Sequence, residues 1–275
     1  MACSVSNTGL FHEIDGEGEP VIFAHGGDGP HLTWWKQVAA LKAHYRCIAY
    51  DAPGFGLSPA SAGLHKAPAD DLLSLMDELE IEQAVLVGHS MGGLAVSGVA
   101  QRHPERVRGL VMSDTPFGFQ TEALSRWAAQ MLEKIPAGFN VLEHLFAPGF
   151  AAREPETHHL YQAICRNKLP VPPLPTPPDF AAAYIVMRDA PPVDYSGFPV
   201  PTLFIVGGED ELTLPWLIEA TAQAVGGARL EVIAGAGHSP FYERTEVYNR
   251  VLTGFVEVVT QDNPQTERKL ADRLR

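Results

Sequence analysis

Cysteine is scarce in this chain. Cys3, Cys47 and Cys165 lie far apart, show no CxxC spacing and are odd in number, which argues against a disulfide framework. Basic residues are also in short supply. Lys and Arg number 20 against 33 Asp and Glu, for a formal net charge of -13. A phosphate backbone demands a basic patch, so no nucleic-acid partner is expected. No apolar run approaches the roughly 20 residues that a membrane span requires, so no membrane partner is expected either. The opening MACSVSNTGLFHEIDGEGEP has neither a basic n-region nor a long apolar stretch, and no signal peptide is expected. The chain reads as soluble and cytoplasmic.

What is present suits one large globular unit. The 275 residues, 45% hydrophobic and 19% charged, can bury a substantial core and carry an insertion. Short apolar runs alternate with helical patterns: VIFAHG (21–26), CIAYDAPG (47–54), AVLVGHS (84–90), GLVMSD (109–114), TLFIVGGED (202–210) and LEVIAGAGH (230–238). Near-continuous apolar strands are expected where helices cover both sheet faces. Between them, Leu72, Leu75, Met76 and Leu79 follow helical spacing, as do Val247, Val251, Leu252 and Phe255. The alternation predicts an α/β fold with a mostly parallel central sheet flanked by helices.

The rhythm changes between about residues 117 and 197, where helical patterns occur without a convincing strand. Leu124, Trp127, Met131, Leu132 and Ile135 form one stripe, and Val141, Leu142, Leu145 and Phe146 another. Leu160, Tyr161 and Ile164 suggest a third helix and FAAAYIVMRD (180–189) a fourth. The intervening PVPPLPTPPD favours an extended connector, because proline forbids a helix interior. The charged end, 263–275, reads as a loose tail.

The strongest chemical signal is GHSMGG, Gly88 to Gly93. It follows an apolar strand and precedes the helix-compatible LAVSGVAQRH, the strand–turn–helix setting of a nucleophilic serine. Ser90 must stand on a tight turn, and Gly88 and Gly92 let strand and helix close around it. A serine hydroxyl is a weak nucleophile without a base. Of eleven histidines, His238 follows a strand that ends in small residues, so its loop can carry imidazole across the strand ends. His25 is read as a loop-fixing residue and His89 as packing. Adjacent His158 and His159 on a helix do not share a face, which disfavours a metal site.

Imidazole needs an orienting carboxylate. Asp210 ends a strand and precedes His238, giving the chain order Ser, Asp, His. Asp114, after GLVMSD, is the alternative position. An oxyanion hole needs two donors: the backbone N–H of Met91, and one from HGGDGP, where Gly27 is preferred over Asp28.

Together HGG (25–27), DAPGFGLS (51–58), GHSMGG, GGED (207–210) and GAGHSPFYE (235–243) resemble the α/β-hydrolase superfamily, in its capped esterase, lactonase and C–C hydrolase group. The resemblance spans Val21 to about Val259, outside the inserted segment. It implies a hydrolase core of residues 1–117 and 197–262, a helical cap at 118–196, and catalysis by Ser90, His238 and Asp210 without metal or organic cofactor. It implies no chemistry for Asp51, only a structural turn. Haloalkane dehalogenases and epoxide hydrolases of this fold use Asp where this chain has Ser90. Meta-cleavage C–C hydrolases carry Asn before the nucleophile and Trp after the histidine, where this chain has His89 and Ser239. The expected substrate is a carboxylic ester or lactone of a small, partly apolar molecule; Arg188 reads first as an arginine on a solvated helix face and second as a group able to hold an acidic substrate. The alternatives are hydrolysis of a C–C bond in a diketone-like substrate, and a non-catalytic receptor that traps a small ligand.

Overall fold

A computed structural model describes residues 2–7, 9–27, 29–59, 68–134, 141–166 and 180–261. Strands β1 (Ala2–Val5) and β2 (Phe11–Asp15) precede β3 (Glu19–Ala24), β4 (Tyr45–Tyr50), β5 (Ala84–His89), β6 (Val107–Ser113), β7 (Thr202–Gly207) and β8 (Arg229–Ile233). They form one eight-stranded sheet in the order β1-β2-β4-β3-β5-β6-β7-β8. The β1–β2 and β2–β4 pairs are antiparallel. From β4 through β8 every neighbouring pair is parallel.

The six apolar runs supply the parallel strands; β3, β5, β6 and β7 are covered on both faces, whereas β8 at the edge is mostly exposed or half-buried. The side-chain period of two sends Val21 and Phe23 to one face and Ile22 and Ala24 to the other. Strands β1 and β2 carry no such run. ACSV is exposed throughout, and FHEID mixes polar with apolar residues, as an edge hairpin with little cover allows. The apolar runs also overshoot the strands. DAPG after Tyr50 and GED after Gly207 belong to the loops that leave the sheet.

Helices α1 (Trp35–Leu41), α2 (Pro68–Glu78) and α3 (Gly92–Arg102) follow β3, β4 and β5. Leu72, Leu75 and Met76 of α2 pack with Val96 and Val99 of α3 under one sheet face. Each such fully buried side chain contributes about 1.5–3 kcal/mol by leaving water. Between β6 and β7 lie α4 (Glu122–Lys134), a 3₁₀ turn (Val141–His144), α5 (Phe150–Arg153), α6 (Pro155–Arg166) and α7 (Phe180–Asp189). Among the described residues this stretch holds no strand, in keeping with its helical patterning. The Pro-rich stretch, Ile135 and the charged tail lie outside the described residues.

The chain then adds α8 (Pro215–Ala224), the short α9 (Pro240–Glu243) and α10 (Thr245–Gln261). The buried stripe of α10 is Tyr248, Leu252, Phe255 and Val256, whereas Val247 is exposed. Leu252 and Phe255 are buried as expected, with Val251 packed beside them, and Tyr248 rather than Val247 completes the stripe. A similar shift leaves Leu160 exposed while Tyr161 is buried. Among the described residues no helix is long and apolar enough to cross a membrane.

Candidate active site

Ser90 sits where β5 turns into α3, with φ of +48°. Side chains other than glycine rarely adopt this left-handed conformation, so the surroundings must hold it. The Ser90 N–H donates to the Ser113 carbonyl of β6 at 3.1 Å. A Cβ on Gly88 would meet Val96 Cγ2 at 2.5 Å, and one on Gly92 would strike the backbone of Ala24 and His25. The two glycines let α3 approach β5 and β3 and keep the turn tight. Gly27 lies against Met91, since a Cβ there would come 3.7 Å from Met91 Sδ. The backbone of both residues therefore borders the N-terminal end of α3, where partial positive charge collects. Asp28 lies outside the described residues.

His238 stands in the loop between β8 and α9 and is buried. Its Nδ1 lies 2.9 Å from Asp210 Oδ2. Opposite a carboxylate, Nδ1 carries the proton and Nε2 keeps its lone pair. Asp210 Oδ1 also accepts the N–H groups of Leu212 at 2.7 Å and Thr213 at 3.1 Å. Thr213 Oγ1 donates to Oδ2 at 2.8 Å. Burial works against the Asp210 charge, but His238 and these donors outweigh it and hold the carboxyl below the usual range.

Asp114 closes β6 with a second left-handed φ, +47°. Its Oδ1 accepts the Gly207 N–H at 2.8 Å, and Ser113 Oγ donates to Oδ2 at 3.0 Å. Burial, and then the charge of Asp210, push the Asp114 carboxyl well above the usual range. Asp114, Asp210 and His238 bring one donor atom each to within 4.8 Å of one another. Their oxygens already accept N–H and O–H protons, so the cluster is organised as a hydrogen-bond network. The structure thus sets Asp210 on the imidazole and Asp114 beside Asp210.

The remaining residues singled out in the sequence have plainer surroundings. His25 Nδ1 donates to the Gly26 carbonyl at 2.7 Å, and its Nε2 accepts the Ala52 N–H at 2.9 Å, which fixes the loop after β3. Asp51 accepts the Leu57 N–H at 2.7 Å and both the N–H and Nδ1 of His31, so the DAPGFGLS turn folds over it. Arg188 is exposed and forks onto its neighbour Asp189. His159 is exposed, and the His158 ring packs edge-on to Phe146. Trp127, Met131 and Tyr184 are buried in a small core of their own with Leu217. The Trp127 indole N–H donates to the Leu212 carbonyl at 2.9 Å, which ties α4 to the loop of Asp210.

Two contacts escape a reading of sequence alone. Thr213 is one, and its only signal is a hydroxyl three residues beyond the acid. The other is His89. Its ring packs among Trp34 and Phe241, and its Nε2 donates to the backbone carbonyl of His238 at 2.8 Å. The residue before Ser90 thereby holds the backbone of His238.

Comparison with known proteins gives this arrangement a setting. Residues 21–251 match the sequence model described as "Alpha/beta hydrolase family". A pimeloyl-[acyl-carrier protein] methyl ester esterase of Vibrio vulnificus is 25% identical over 259 residues, covering 90% of this chain and 98% of the relative. The solved structure of a thermophilic esterase from Thermogutta terrifontis is 26% identical, with a TM-score of 0.70 over 94% of this chain and 98% of the other. An enol-lactonase from Burkholderia xenovorans LB400 is 25% identical, with a TM-score of 0.67 over 92% of this chain and 99% of the other. By sheet order and by sequence match alike, the chain belongs to the alpha/beta hydrolase family.

Proposed function

We propose that the protein is a cofactor-free serine hydrolase acting on a carboxylic ester or lactone of a small, partly apolar molecule. Ser90 is the nucleophile, His238 the general base and Asp210 the acid that orients it. The backbone N–H groups of Gly27 and Met91 hold the oxyanion. Residues 118–196 act as a cap over a hydrolase core of 1–117 and 197–262. The observation that carries this reading is the double hold on His238. Asp210 fixes its ring through Nδ1, and His89, the residue before Ser90, fixes its backbone. Nothing in a purely structural loop calls for both.

In this mechanism His238 Nε2 takes the Ser90 proton as Oγ attacks the carbonyl carbon. The tetrahedral oxyanion is stabilised by donors that need not reorganise. The proton returns to the leaving alcohol, or to the ring-opened hydroxyl of a lactone, and leaves an acyl group on Ser90. Water, deprotonated by His238, then releases the acid and restores the serine. The esterase and enol-lactonase relatives support this substrate class.

The test is a short-chain aryl ester followed by a fluorophosphonate. Turnover, a single adduct at Ser90 by peptide mass spectrometry, and loss of both in Ser90→Ala are expected. Labelling at another serine, or full activity of Ser90→Ala, would overturn the assignment. Tight binding of a small molecule with neither labelling nor turnover would favour a receptor instead.

A further inference from the structure

Glu243 closes the GAGHSPFYE stretch and ends α9. Its Oε1 accepts the N–H of Gly237 at 2.8 Å, and its Oε2 accepts the N–H of Ala147 at 3.0 Å. The Ser239 N–H also donates to this carboxyl. Gly237 and Ser239 are the residues on either side of His238. Ala147 belongs to the segment between the 3₁₀ turn and α5, within the inserted helices.

The two main chains meet closely here. A Cβ on Gly237 would lie only 3.0 Å from Ala147 Cα and closer still to its nitrogen and to the Phe146 carbonyl carbon. Only glycine allows the loop of His238 to press against the inserted segment, and one carboxyl joins both sides of that contact. Burial pushes the Glu243 carboxyl up to about 7, despite three N–H donors and the neighbouring Arg244. An acid kept where its charge is costly, with its oxygens spent on the backbone flanking one imidazole, has a positional task.

We infer that Glu243 is a positioning residue for His238, clasping the N–H groups on both sides of it and tying them to Ala147 of the inserted segment. Asp210 sets the ring's orientation from the side chain. Glu243 sets where the ring's backbone stands relative to Ser90 and to the cap. The inference rests on His238 being the base proposed above.

Glu243→Gln tests it. One amide oxygen replaces two acceptors, and the amide N–H₂ faces an N–H it cannot accept. On the short aryl ester, kcat should fall about 10–100-fold, because small misplacement of a reacting group is costly, while KM moves less than about threefold. The rate of fluorophosphonate labelling at Ser90 should fall by the same factor as kcat. In a His238→Ala background, adding Glu243→Gln should change the residual rate no further.

A Glu243→Gln protein with kcat within about twofold of wild type overturns the inference. So does an equal change in kcat and KM, or a further loss in the His238→Ala background. If wild type itself neither turns over nor labels at Ser90, the serine-hydrolase reading fails, and hydrogen exchange still reads the clasp. That measurement uses the unmodified protein and serves if the variant does not fold. The amides of Gly237, Ser239 and Ala147 should be strongly protected, and free exchange at them would overturn the clasp.

Discussion

The carboxyls of Asp114 and Asp210, both shielded from solvent, each bring an oxygen to within 4.8 Å of the other, and their surroundings push the first above the usual carboxylate range and hold the second below it. The pair divides its roles by partner. Asp210 holds the imidazole, and Asp114 holds the Gly207 N–H at the end of β7. Asp210→Asn should therefore keep the fold and cut turnover by about 10²–10⁴-fold, because His238 loses its orientation and counter-charge. Asp114→Asn should stay within about threefold of wild type, since an amide oxygen keeps the acceptor for the Gly207 N–H and the carboxyl does not hold the imidazole. Steady-state kinetics on both variants decides the matter. A dead Asp114→Asn beside a healthy Asp210→Asn would move the acid to Asp114.

The raised Asp114 carboxyl has a signature in stability. Folding raises the Asp114 pKa above its ordinary value of 3.8, so the native state holds this proton more tightly than the unfolded chain. Its contribution is fully present below that value and is lost as pH rises toward the folded pKa. Asp114→Asn cannot ionise and escapes that loss. Melting curves should show Asp114→Asn gaining on wild type as pH rises above 3.8. A difference that stays constant as pH rises would mean that Asp114 titrates normally.

Thr213 Oγ1 offers its one proton to the Asp210 carboxylate or the Asp114 carbonyl and lies 3.4 Å from His238 Nδ1. Thr213→Val keeps the shape and removes that donor. A hydrogen bond to a charged group contributes about 1.5–3 kcal/mol, so kcat should drop by about tenfold or more with KM little changed. Thr213→Ser should recover most of the loss. Equal defects in the two variants would point to packing of the methyl group instead.

Trp127 should behave as a brace. Trp127→Ala opens a cavity in the small core with Met131 and Tyr184 and should cost about 3–5 kcal/mol in denaturant melts. Trp127→Phe loses chiefly the N–H bond to Leu212, about 0.5–1.5 kcal/mol, and should lower kcat on all esters alike. A shift in preference among acyl lengths in Trp127→Phe would show instead that the ring borders the substrate.

The inner sheet was open to sequence reading because a strand covered on both faces must be apolar at every position, as AVLV of β5 is. β1 and β2 escaped because an edge hairpin faces no such demand, and nothing in ACSV marks a strand. Ser90 and His238 stood out because strand-ending turns with small residues leave a pattern. Pattern favoured Asp210 but left Asp114 as the alternative, because each is an aspartate that follows a strand. What distinguishes them is the three-dimensional fact that Asp210 meets His238 Nδ1. Thr213, His89 and Glu243 were silent for a different reason. Each acts on a backbone group or a carboxylate of another residue, and a single polar letter does not say what it will reach.

The outermost position of β8 gives the molecule a weak side. This strand pairs with β7 alone, its Val232 is 53% exposed, and the loop that carries His238 hangs from its end. Local opening starts where few neighbours hold the backbone, and a sheet margin frays before its centre. Warming should therefore loosen β8 first, while the His238 loop, held by His89 and Glu243, and the strands β3, β5 and β6 still stand. Amide exchange in β8 should quicken several degrees below the loss of far-ultraviolet ellipticity, while the amides of Gly237 and Ser239 stay protected.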